Sequence, residues 1–78
     1  MDNELLQIFL EIQQENLNEL NRKKKWHVDM MKAKQETGED TDYGHLLYIE
    51  RLQVKIYATE YGMKMMKKAI IIASEHQE

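Results

Sequence analysis

The side chains that could do chemistry in this sequence fall into three groups. Arg22-Lys23-Lys24-Lys25-Trp26 is the densest cationic stretch, with His27, Lys32 and Lys34 close behind. Clustered cations are what phosphate binding needs, and a neighbouring indole can stack on an unpaired base. These five residues, Arg22, Lys23, Lys24, Lys25 and Trp26, are the partner-binding candidates. A formal net charge of −3 and acidic flanking segments weigh against nucleic acid as the partner. The alternative role for the lysines is a solvated face paired with acids across the fold, with Trp26 as a core anchor.

The second group is the segment Glu36-Thr37-Gly38-Glu39-Asp40-Thr41-Asp42-Tyr43-Gly44, which concentrates four carboxylates. Asp40-x-Asp42-x-Gly44 has the alternation of oxygen ligands that a calcium loop uses. It lacks the third acidic ligand before the glycine and the closing glutamate. A capped turn with acids at a helix start is the expected role.

The third group is His27, His45 and His76, none of which stands three or four residues from another. No helical metal pair results, and His45 is expected to be a packed or capping side chain. There is no glycine-rich phosphate loop, His-x-x-x-His pair or nucleophile elbow. Polar residues on an otherwise apolar arc, Gln13, Asn16, Lys23 and Lys24, more often fix helix register than build a catalytic centre. The expectation is therefore a non-enzymatic protein with no catalytic residue, no cofactor and no metal.

Two long elements must position these groups. Proline is absent and glycine occurs three times, which favours long helices over turn-rich strands. The first helix is expected over about 3–36. Asp2 and Asn3 are good cap types, and Glu4 lies where the helix dipole favours an acid. Leu5, Leu6, Phe9, Leu10, Ile12, Leu17 and Leu20 recur at spacings of three and four and predict a buried face. The basic run then interrupts that face. Nothing there breaks a helix, so the sequence predicts continuity through it.

Thr37 to Tyr43 predicts the turn, with Gly38 as helix stop and Thr41 or Asp42 as the next cap. A second helix is expected over about 44–75. It carries two apolar stripes on nearly opposite sides. His45, Ile49, Leu52, Ile56, Met63, Met66 and Ile70 form one, and with Thr59 this seam has coiled-coil spacing. Leu47, Val54, Ala58, Tyr61, Met65, Ala69 and Ile72 form the other. A short connection implies an antiparallel αα-hairpin. In that hairpin the acidic first stretch lies opposite Lys64, Lys67 and Lys68, and the basic run lies opposite the middle of helix two, where Glu60 is available. The spacing alone does not say which stripe faces helix one.

The fold class expected is thus all-α, one antiparallel two-helix hairpin domain spanning residues 1–78. One helix can cover only one stripe, and fully burying each large side chain of the other is worth roughly 1.5–3 kcal/mol. A continuous exposed seam marks an interaction surface. The simplest partner is a second copy, two hairpins closing a four-helix bundle. The expected dimer interface is Leu47, Val54, Ala58, Tyr61, Met65 and Ile72. Six methionines fit either core filling or an adaptable binding surface.

Hydrophobic content of 42% with 32% charged residues fits a folded chain, and no apolar run is long enough for a membrane span. The absence of cysteine fits a reducing, cytoplasmic setting. The opening Met-Asp-Asn-Glu lacks the basic region of a secretory leader. The predicted layout resembles that of the Rop-type plasmid copy-number regulators, which are dimeric hairpins that bind paired RNA loops; no residue matches motif by motif. The function expected is a small dimeric regulator or inhibitor that binds another protein, of a style carried by phages and mobile elements. The alternative is a Rop-like nucleic-acid-binding regulator using residues 22–25.

Overall fold

A computed structural model describes residues 3–38 and 43–76. It contains two helices, α1 (Asn3–Glu36) and α2 (Tyr43–Glu75), packed against each other as a hairpin. α2 starts one residue before its expected boundary. The rod they form measures 64 × 15 × 14 Å between Cα extremes.

α1 runs unbroken through the basic stretch. Glu4 in its first turn and Lys34 in its last complement the helix dipole. It stops where Gly38 takes φ 74°, a left-handed conformation that costs a glycine little. The Gly38 amide donates to the Gln35 carbonyl at 3.2 Å, and the Thr37 hydroxyl donates to the Lys34 carbonyl at 3.0 Å. These bonds satisfy carbonyls that a helix end leaves without partners. The expected caps Asp2, Thr41 and Asp42 lie outside the described residues.

The stripe of α2 that faces α1 is the coiled-coil seam. Leu52, Ile56 and Met63 are buried, Ile56 to 3% exposure, and His45, Ile49, Thr59, Met66 and Ile70 are half-buried. On α1 the matching seam is Leu6, Leu10, Gln13, Leu17, Leu20, Lys24, His27, Met31 and Lys34, all buried or half-buried. Both series alternate steps of three and four, the a and d positions of a heptad. Leu20 packs with Leu52 and Ile56, and Leu17 lies against them.

Helix one's expected apolar face is corrected in part. Leu6, Leu10, Leu17 and Leu20 lie on the seam, whereas Leu5, Phe9 and Ile12 are 45–52% exposed. Two packed helices cover only the a and d rows of each other, so side chains one row aside stay in water. The polar arc divides in the same way, with Gln13 and Lys24 half-buried and Asn16 and Lys23 exposed.

Candidate functional site

With a and d fixed by burial, the rest of each helix falls into two flanks and an outer line. In an antiparallel pair, the e rows of both helices border one side of the seam and the g rows border the other. The e side carries Gln7, Glu11, Gln14, Glu60, Lys64 and Lys67. Two adjoining shallow grooves of about 410 and 360 Å³ run along it, sharing Gln14, Met63 and Lys67. This flank is mostly polar and mixed in charge; its exposed apolar side chains, Leu46, Tyr57 and Ile71, are spread along it rather than gathered in one place.

The g side is different. There Leu5, Phe9 and Ile12 of α1 occupy c and g rows, as do Ala58, Met65, Ala69 and Ile72 of α2. All seven are exposed. At the end of the hairpin away from the turn they form one apolar flank shared by both helices, of the kind that marks an interaction surface.

The expected dimer interface therefore divides. Ala58, Met65 and Ile72 lie on the apolar flank. Leu47, Val54 and Tyr61 lie in f positions, directly opposite α1, at 49%, 68% and 64% exposure. Sequence spacing on α2 could not identify Leu5, Phe9 and Ile12 as their neighbours, because that grouping depends on how α1 is rotated about its axis.

The basic stretch is not paired as expected. Arg22 bonds Glu19 at 2.6 Å within its own helix, with the arginine largely in water and the glutamate half-exposed. Lys24 reaches across the seam to the Gln53 side-chain oxygen. Glu60 instead shares a groove with Gln14, Leu17 and Lys64. The register places Gln53, not Glu60, beside Lys24. Lys23 and Lys25 are exposed. Trp26, expected as a core anchor on one reading, is 56% exposed.

Trp26 does belong to a cluster at the turn end of the apolar flank. Its ring makes edge-type contacts with those of His27 and His45 at centroid distances of 4.9 and 5.7 Å. His27 stacks on Tyr48 at 5.1 Å with an interplanar angle of 9°. The Nδ1 atoms of His27 and His45 lie 2.7 Å apart, one donating to the other. The spacing of histidines within each helix gave no such pair. His45 was legible as a seam residue, but its counterpart depends on the register between helices.

The chain matches no protein-family model, no curated protein and no solved structure. Its function rests on its own surfaces. The calcium-like pattern is not tested by them, since Asp40 and Asp42 lie outside the described residues. Among the described residues, no helix is long and apolar enough to cross a membrane.

Proposed function

We propose that this protein is a non-enzymatic helical hairpin that pairs with a second copy through its apolar flank and binds another protein as a regulator or inhibitor. The observation that carries this reading is the flank itself, contributed by both helices and exposed in the single hairpin. A helix in a four-helix bundle buries two adjacent faces rather than two opposite ones. The flank beside the seam, with Phe9, Ile12, Met65 and Ile72, suits that closure. The outer line of Leu47, Val54 and Tyr61 does not, because it points away from any helix that caps the flank. In such a dimer the outer line stays in water and serves the protein target.

Light scattering across a wide concentration range tests the pairing. The expected result is a constant dimer mass that Tyr61→Ala leaves intact and Phe9→Glu converts to monomer. A monomeric wild-type chain at all concentrations would overturn the reading.

One observation favours a second function. Trp26 is exposed beside Lys23 and Lys25, an arrangement able to stack on a base and contact phosphates. This alternative predicts an RNA mobility shift at low salt that disappears steeply as salt is added. No shift at low salt would remove it.

A further inference from the structure

Two imidazole nitrogens from different helices meet at seam positions near the turn. His27 and His45 occupy d positions, the rows that hold Leu6, Leu20 and Leu52 elsewhere. Their Nδ1 atoms are 2.7 Å apart, and both side chains are half-buried. Tyr48 stacked on His27 and Trp26 packed against both rings hold the two imidazoles beside each other, and a modest rotation of each turns both Nδ1 lone pairs toward a common point.

We propose that His27 and His45 form a two-point chelate for a divalent transition-metal ion that prefers square or tetragonal geometry, copper(II) first and nickel(II) second. Imidazole nitrogens bind such ions at about 2.0 Å. Two nitrogens bound at a right angle are then about 2.8 Å apart, and two in a tetrahedron about 3.3 Å. The observed separation is nearer the right-angle value. Each neutral ring carries one proton. The ring that donates from Nδ1 moves its proton to Nε2 through solvent, both Nδ1 lone pairs bind the ion, and no net proton is released. Water completes the coordination sphere from the exposed side. The ion then links α1 to α2 beside their connection, and it binds the folded hairpin only, because the unfolded chain does not hold the two rings together.

Trp26 is the chain's one tryptophan and touches both rings, so it reports directly. Titrating the full chain with copper(II) should quench Trp26 emission and raise the urea midpoint. His27→Ala and His45→Ala should each weaken the apparent affinity at least about tenfold, the lower end of what disturbing a metal site costs. His76→Ala should leave the titration unchanged. Electron paramagnetic resonance of the wild-type copper complex should show splitting from two nitrogens, a readout that needs no variant to fold. Unchanged quenching in the His27→Ala/His45→Ala double variant would overturn the proposal. So would a spectrum with one nitrogen or none, or tighter binding of zinc than of copper(II).

Discussion

The two flanks of the hairpin use the same helices, the same length of chain and the same heptad frame, yet one gathers its apolar side chains into a single patch and the other scatters Leu46, Tyr57 and Ile71 among polar ones. One carries Gln7, Glu11, Gln14, Glu60, Lys64 and Lys67 and borders open grooves. The other carries Leu5, Phe9, Ile12, Met65, Ala69 and Ile72, all exposed. The difference shows that a two-helix seam satisfies only part of this sequence. The polar flank can end in solvent, while the apolar flank leaves several large side chains whose burial would be worth roughly 1.5–3 kcal/mol each.

The strongest way to break the comparison is to charge each flank in turn. Phe9→Glu should weaken the proposed self-association by roughly 3–6 kcal/mol, since a two-fold interface would contain the substitution twice and each copy would lose one buried side chain. Lys67→Glu on the other flank should leave the dimer mass unchanged in the same scattering experiment. Equal dissociation by both variants would end the distinction between flanks.

Substituting the seam has the next largest effect. Ile56→Ala should cost the hairpin about 2–4 kcal/mol in urea unfolding, because Ile56 is nearly fully buried and the cavity cannot close completely.

Two glycines sharpen the picture at about 1 kcal/mol. Gly38→Ala should destabilise by about 1 kcal/mol or more, because φ 74° is strained for a residue with a Cβ. Gly62 sits in a helical g position on the apolar flank, with open space where a Cβ would point. Within the hairpin, Gly62→Ala should therefore stabilise by about 0.5–1 kcal/mol. In the proposed dimer the added methyl enters the interface and opposes pairing, so the mass should fall at low concentration and thermal stability should rise only where the chain is already monomeric.

The smallest expected effect is at Arg22. Its pair with Glu19 lies in water within one helix. Arg22→Ala should change stability by less than about 0.5 kcal/mol in the same urea experiment.

Much of this fold is legible in the sequence because its causes are local. The absence of proline, the step from Gly38 into a short polar connection, and the three-four spacing of Ile49, Leu52, Ile56, Met63, Met66 and Ile70 need no knowledge of the other helix. The continuity of α1 through Arg22–Lys25 is equally local, since those residues are good helix formers. The candidate surfaces were legible only in part. Met65 and Ile72 stood out by period on their own helix, and Trp26 by composition, but neither carries information about its neighbours across the seam.

The sequence by itself determined two long helices, the turn between them and an excess of apolar surface over what two helices can cover. Tertiary structure decided which α2 stripe meets α1, which α1 residues flank Met65 and Ile72, and that His27 meets His45. Helix formation follows from neighbours three and four residues away, where intrinsic preference and period act. Rotation and register between helices are set by how two complete rows of side chains interlock, and no single segment holds both rows. Leu5, Phe9 and Ile12 have the periodicity of a buried face, yet their row turns polar at Asn16, Glu19 and Lys23, and the row of Leu6, Leu10, Leu17 and Leu20 takes the seam and leaves them on the surface.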